Sequence, residues 1–395
     1  MSSLPARWLL LLTALAGCLP AARVQAHDPS AYGGLFRSRN FGGTWLNADV
    51  GLFLGGSVSV AVDPADGNHL LLGTDTALLS SRNAGRDWVR EAPAKLFGAV
   101  FAVSFLPGGR SALAVAPGGI FRWDGANWQR AQAPGEAAPA RAIALGAVQG
   151  SVYLIGRRAL YRSDDDGKTW QEVKHNLPDQ PEFTALAVAV QQQERLYVIV
   201  DGRVMMSTDA GVQWQMRASG LPDAPAEALT LDPAAAGRMW VAAGARLYRS
   251  DDAGARWNAL GAPLPEADTS VRGIAADARA ATVVVTTHRG LYRSTDGANT
   301  WTLVEGNLPI HLEARPLVRD PTEPNTLYAG FALLPYNEIW RVAVEGGNLL
   351  GRLDTLSIAG GIAFVVLLIA LGALAAAWLA RRRNRSDLPI HGSTR

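Results

Sequence analysis

Ser207-Thr208-Asp209-Ala210-Gly211-Val212-Gln213-Trp214 is the stretch on which the fold turns. The Asp209 carboxylate can accept hydrogen bonds from the amides of its own turn, and Gly211 can take a positive φ without steric cost. Trp214 then fills space between sheets. Such a stretch closes a hairpin, and it is not alone. Leu35-Phe36-Arg37-Ser38 leads to Trp45, Leu160-Tyr161-Arg162-Ser163 to Trp170, Leu247-Tyr248-Arg249-Ser250 to Trp257, and Leu291-Tyr292-Arg293-Ser294 to Trp301. Weaker copies end at Trp88, Trp128 and Trp214, so the tryptophans recur at spacings of 43, 40, 42, 44, 43 and 44 residues. A period near 43 with short alternating strands and no long helical pattern indicates an all-β ring of four-stranded blades, a seven-bladed β-propeller.

The turn acceptor is Asp165, Asp209, Asp252 or Asp296 in four copies and Asn40 or Asn83 in two. Two copies depart from the pattern. Asp296-Gly297 sets its glycine one position early, and Arg122-Trp123-Asp124-Gly125 lacks the serine, so both turns are expected to differ. Inner strands are placed near Val58, Val100, Ile143, Leu186, Leu229, Ile274 and Leu317, with second strands following each. Third strands number eight if Ile339-Trp340-Arg341 is counted with Leu35-Phe36-Arg37. Lending the Trp45 strand to the last sheet closes the ring but leaves one third strand over.

These turns resemble the Asp-box, or bacterial neuraminidase repeat, pattern Ser-x-Asp-x-Gly-x-Thr-Trp, and the resemblance covers about residues 34 to 342. Sialidases, sortilin-type receptors, some xyloglucan-cleaving enzymes and photosystem II assembly and stability factors share that repeat, which specifies fold strongly and activity weakly. Repeat density in a single exported, membrane-associated propeller looks most like the assembly-factor type.

The ends of the chain suggest how it is exported and held. Residues 1–26 read as a signal peptide, with Arg7, an apolar stretch from Trp8 to Leu19 and small residues near Ala26. Leu15-Ala16-Gly17-Cys18 also resembles a lipobox, which would lipidate Cys18; cleavage near Ala26 is favoured because a second anchor makes an acyl chain redundant. That anchor is the uncharged run 358–380, long enough to span about 30 Å of hydrocarbon and followed by a basic tail, 381–395. The positive-inside rule keeps Arg381, Arg382, Arg383 and Arg385 in the cytoplasm. The propeller, 27–345, and a linker, 346–357, then face outward from a bacterial cytoplasmic membrane as a single-pass protein.

Over 395 residues, 48% are apolar and 18% charged, with a mean hydropathy of +0.06, which excludes a disordered, acidic or collagen-like polymer. The net charge of +2 belongs to the termini, and the stretch between them carries −4, so no nucleic-acid partner is implied. A single cysteine excludes a disulfide framework. His27, His69, His175, His288, His311 and His391 show no metal-ligand spacing, and neither a metal nor a cofactor is expected. Asp164-Asp165-Asp166 lacks the alternating oxygens of a calcium loop, and Gly167-Lys168-Thr169 lacks the upstream glycine of a phosphate loop.

In an up-and-down meander the Asp-box hairpins share one face with the hairpins leaving the inner strands, so function is sought on the opposite face. There Arg141, Thr184, Glu227, Arg272 and Arg315 occupy equivalent places in five blades, two or three residues before the aliphatic core of the inner strand. Arg141, Arg272 and Arg315 with Glu227 would form a funnel for a carboxylate, phosphate or acidic protein segment; the alternative is a row of solvated rim residues. A second series, Arg37, Arg122, Arg162, Arg249, Arg293 and Arg341, recurs beside the turns, either stacked on tryptophans and turn carboxylates or as a docking rim.

The sialidase resemblance implies three arginines, a Tyr–Glu pair and an Asp acid. Only Tyr32 and Tyr336 lie off the repeat, and the Arg-Ile-Pro signature is absent from the sequence. A carboxylate-pair glycosidase could draw on Glu182, Glu227, Asp268 and Glu313, whose spacing singles out no pair. The reading is a non-catalytic, membrane-anchored propeller that binds subunits of a membrane complex. The alternatives are an anchored glycoside hydrolase acting on extracellular glycans and a sortilin-like peptide receptor.

Overall fold

The computed structural model describes residues 33–345 except 51, 53, 192 and 278–280. The expected signal peptide, Cys18, the expected linker, the apolar run and the basic tail lie outside the described residues. Among the described residues no helix is long and apolar enough to cross a membrane.

Among the described residues there are seven four-stranded antiparallel sheets, six of them meanders of consecutive strands. Phe183–Ala189, Arg195–Val200, Arg203–Ser207 and Gln215–Met216 form a representative blade from inside to outside. Each inner strand lies beside the inner strand of the next blade, and that of the last blade, Glu313–Arg319, lies beside that of the first, Ser57–Val62. The sheets therefore surround one axis.

Burial follows position in the blade. Second strands such as Leu70–Thr74, Ala112–Ala116 and Met239–Ala243 are buried at every residue, because both of their faces meet a neighbouring sheet. This is why they read as continuous apolar runs and not as alternating ones. The outermost strands shrink to two or three residues, and Leu46–Asn47, Val89–Arg90 and Gln215–Met216 are wholly exposed. Short, exposed edges of this kind offer little template for pairing with other chains. The tryptophans fill the space between blades as expected: Trp170 packs with Leu113, Val115, Val152 and Tyr161 across one such interface.

The ring closes on its N-terminal segment. Gly34–Ser38 pairs with Leu327–Ala332, from Gly34 opposite Phe331 to Ser38 opposite Leu327, and Leu46–Asn47 completes that sheet. The supernumerary strand is thereby identified and corrected: Ile339-Trp340-Arg341 is not a strand but part of helix α1, Tyr336–Glu345. Tyr336, Ile339 and Trp340 are its buried residues, an i, i+3, i+4 set that a helix places on one face and a strand cannot. The third-strand place it would have taken is already filled by Leu35-Phe36-Arg37. The compact unit that contains the ring ends at Trp340.

Candidate binding site at the mouth of the ring

The two ends of the blades are built differently. At the Asp-box end the repeated serine organises the turn. The hydroxyls of Ser163, Ser207 and Ser250 donate to Asp165, Asp209 and Asp252 at 2.8, 2.7 and 2.7 Å and accept the amides of Gly167, Gly211 and Gly254 at 2.9 Å. Each carboxylate then accepts the amide four residues on from its own position, as Asp209 does from Gln213 at 2.9 Å. Ser38 with Asn40 and Ser81 with Asn83 repeat the arrangement. Asp296 makes the same bonds, with Ala298 at φ +68° standing in the glycine's place, so the displaced Gly297 leaves this turn unchanged, contrary to expectation. The Asp124 turn does differ: shorter, it gathers Ala126 N and Asn127 N on one oxygen at 2.9 and 2.7 Å. Hydrogen bonds from backbone and side chains hold the carboxyls of Asp209, Asp252 and Asp296 below the usual range, Asp296 at about 2.

The second arginine series lies at this end and joins blade to blade. Arg37 donates to Ala84 O at 2.8 Å, Arg122 to Asp166 O at 2.9 Å and Arg293 to Phe41 O at 3.0 Å. Every acceptor is the first of the two positive-φ residues in the next blade's turn. In the blade that carries Met206 at the arginine position, the Tyr197 hydroxyl reaches Ala253 O instead, at 3.1 Å. Arg162 pairs with Asp164 at 2.7 Å and Arg249 with Asp251 at 2.8 Å, as the carboxylate-pairing reading expected. Arg341 stands apart from the series because it lies in α1 and not in a third strand.

Below this face, a cleft of about 820 Å³ is lined by Asp232, Arg238, Arg319 and Asp320 among others. Its charged groups are already engaged. Asp232 accepts Ala234 N at 2.8 Å and pairs with Arg238 at 3.4 Å, Asp320 accepts Thr322 N at 2.8 Å, and Arg319 donates to Pro324 O at 2.6 Å.

At the opposite end, the aligned residues prove to share a backbone device. Ladder pairing skips Thr184, Glu227 and Arg272, and likewise the Arg315-Pro316 step and Val58, so each is a β-bulge in its inner strand. A bulge re-aims its side chain and is common beside functional sites. Arg141 and Phe101 fill the equivalent place directly before their inner strands, Ala142–Leu145 and Ala102–Phe105. One rim position therefore carries Val58, Phe101, Arg141, Thr184, Glu227, Arg272 and Arg315 in turn.

Two of the three funnel arginines meet on α1. The Arg141 guanidinium lies 4.4 Å from the Trp340 ring centroid and that of Arg315 lies 3.8 Å from the Tyr336 ring. Phe101 meets both rings edge-on, at 5.3 and 4.9 Å. Arg272 joins through a carboxylate: its Nε donates to Glu313 Oε1 at 2.6 Å, and Glu313 Oε2 accepts the Tyr336 amide at 2.7 Å, capping the helix. Glu227 continues the chain in the other direction, accepting Ser270 Oγ at 2.8 Å and Val271 N at 2.9 Å, while Arg272 also donates to Ser270 Oγ at 2.8 Å. Burial lowers the pKa of Arg141, with Arg315 adding to the effect and Glu182, 3.0 Å away, opposing it.

The nominated carboxylates are committed as well: Glu182 to Arg141, Asp268 to Arg289 at 2.7 Å, and Glu227 and Glu313 as above. Tyr336, one of the two off-pattern tyrosines, is stacked under Arg315, and its hydroxyl is buried without a partner. Tyr32 lies outside the described residues. Among the described residues no three metal-ligating side chains lie together. Phe101, Tyr336 and Trp340 were not marked by the sequence reading as site residues. The blade period would have found Phe101, since it stands 43 residues after Val58 and 40 before Arg141.

Residues 124–306 match the family model described as Photosynthesis system II assembly factor YCF48. No curated protein matches the chain by sequence. Among solved structures, "YCF48 bound to D1 peptide" is similar with a TM-score of 0.55 and 18% identity, covering 78% of this chain and 97% of that one. YCF48 from Cyanidioschyzon merolae gives 0.54 and 14%, over 72% of this chain and 98% of that one. The GH74 xyloglucanase from Xanthomonas campestris gives 0.53 and 20%, over 68% of this chain and 51% of that one. At these identities the likeness is one of fold. Repeat, ring and family match together make the chain similar to the photosystem II assembly-factor type of Asp-box propeller.

Proposed function

We propose that the protein is a non-catalytic scaffold that binds a segment of a membrane-complex subunit at the mouth of the ring, from the outer side of a bacterial cytoplasmic membrane. The observation that carries this reading is the meeting of Arg141, Arg315 and, through Glu313, Arg272 on one chain segment, using bulges that repeat around the rim. Planar guanidiniums flanked by an aromatic ring suit a peptide, offering forked donors to carboxylates and flat faces to side chains. A propeller of like fold has been solved with a D1 peptide, which supports a peptide as the ligand class. The anchor, in this reading, is the run 358–380, which would hold the ring close to its partner.

A glycan hydrolase is the second reading, favoured by the xyloglucanase likeness. The commitment of Glu182, Glu227, Asp268 and Glu313 to arginines and backbone amides argues against it, because an acid–base pair must face a substrate across a cleft. A photo-crosslinker placed at Thr184 in intact membranes tests the choice. Attachment of a membrane-complex subunit, abolished by Arg141→Glu with Arg315→Glu, is the expected result. Turnover of a β-glucan or sialoside by the purified protein, lost in Arg272→Ala, would replace the scaffold reading with the enzymatic one.

A further inference from the structure

Helix α1 occupies the mouth as a ligand would. Its two aromatic side chains, spaced i and i+4, are each covered by a guanidinium, and both meet Phe101. Its first amide is received by Glu313, a residue of the ring. Both guanidiniums and the phenyl ring belong to the one rim position that differs from blade to blade. The segment leading into the helix is short: Leu333 and Leu334 are exposed, and Pro335 follows.

The fit is incomplete. The Tyr336 hydroxyl and the Arg141 Nε are both buried without a hydrogen-bond partner. Buried polar groups left unpaired weaken an association, whereas the rest of this socket is well matched. A segment that placed an aromatic ring under Arg315 and brought a carboxylate to Arg141 Nε would satisfy the socket more fully than α1 does.

We propose that the mouth of the ring is a socket for a helical segment carrying aromatics at i and i+4 and an acidic side chain, that Tyr336–Trp340 fills it in cis, and that a partner segment of the same chemistry exchanges with it. The inference rests on the scaffold reading above and adds the ligand's pattern and its regulation. A tethered occupant acts at an effective concentration on the order of millimolar, so a free segment sees only the small fraction of empty sockets. Binding by the intact chain is then weak until the partner is held nearby or carries the better-matched groups.

The experiment uses the full chain in detergent and a fluorescent peptide of residues 333–345. Fluorescence anisotropy should show at least tenfold tighter binding to Y336A/W340A than to the wild-type chain. Adding Arg315→Ala to that variant should reverse the gain. Equal binding by the wild type and a folded double variant overturns the proposal. Hydrogen exchange on the wild-type chain gives an independent result if the double variant fails to fold. Excess peptide should accelerate exchange at residues 336–345, and unchanged exchange at saturating peptide overturns the proposal. Crosslinking separates the two readings: subunit capture that needs Arg141 but is unaltered by Y336A/W340A sinks the exchange and keeps the scaffold, whereas capture that ignores Arg141 sinks the scaffold.

Discussion

The Asp-box end of the ring and its mouth are opposite ends of the same blades, yet one repeats and the other varies. At the Asp-box end, serine, acid and glycine recur with hydrogen bonds that agree to about a tenth of an ångström between blades. At the mouth, a single structural position holds valine, phenylalanine, threonine, glutamate and three arginines. Repetition is what a scaffold needs, since every blade must solve the same packing problem. Divergence at a repeated position has no such structural origin and marks where the ring meets something that lacks its symmetry. The same contrast appears in titration. Turn carboxyls are held low by the amides they accept, whereas Asp49 and Asp75, on mouth-side loops, are raised by burial.

The largest effect is expected at a repeated tryptophan. Trp170 is 4% exposed and fills one interblade core, so Trp170→Ala should cost about 3–5 kcal/mol in denaturant unfolding. Arg315→Ala, by the same measurement, should cost no more than about 1 kcal/mol, because it removes one stacked cation at the rim. A loss at Arg315 as large as that at Trp170 would break the distinction between scaffold and site.

Asp49 sharpens the comparison through pH. Its carboxyl, 2% exposed, is raised to about 6, chiefly by burial, while it accepts Leu35 N at 2.9 Å. The folded state thus favours the protonated acid, and stability should fall as pH rises from about 4, the unfolded value, to about 6, then level off. Asp49→Asn keeps an acceptor for Leu35 N and cannot ionise. It should be more stable than the wild type by about 2 kcal/mol at pH 7.5, with the difference vanishing near pH 4. The turn acids act in the opposite sense: their contribution is present above about pH 4 and is lost only as pH falls through their lowered values, near 2 for Asp296.

What could be read from the sequence follows the same division. The turns, blade number and interblade tryptophans were legible because each is fixed by local chemistry repeated at one period. The rim residues could be aligned by that period, which brought out Arg141, Glu227, Arg272 and Arg315. Helix α1 escaped because Ile339-Trp340-Arg341 imitates a third-strand triplet, and only its i, i+3, i+4 burial distinguishes it. Its seat in the mouth joins Phe101 to Tyr336 across 235 positions, a contact that no local pattern announces. Glu313 was nominated as a catalytic carboxylate, yet its partners, an arginine 41 positions away and a helix amide 23 away, come together only in the folded ring.

A smaller effect is expected from the arginines that join neighbouring turns. Arg122 donates from a partly buried position to Asp166 O at 2.9 Å. Arg122→Ala should cost about 1 kcal/mol in equilibrium unfolding, the ordinary net worth of one such bond. Crosslinked partner should remain unchanged, and a loss of partner binding would instead make this rim a second docking face.

The smallest effect, stabilising like that of Asp49→Asn, belongs to Ala298. In the other complete turns the residue whose amide meets the serine hydroxyl is glycine, with φ of +80°, +86°, +77°, +91° and +79° at Gly42, Gly85, Gly167, Gly211 and Gly254. Blade six places alanine there at φ +68°, and Ala298 N still reaches Ser294 Oγ at 2.9 Å. Its hydrogen bonds therefore hold an L-residue in the left-handed region, at a cost on the order of 1 kcal/mol. Ala298→Gly relieves that strain but gives up a buried methyl and frees the unfolded chain, which offsets part of the gain. A net stabilisation of about 0.5 kcal/mol in equilibrium unfolding is expected. A destabilisation would mean that packing around this methyl, and not the backbone geometry common to the repeated turns, sets the residue in blade six.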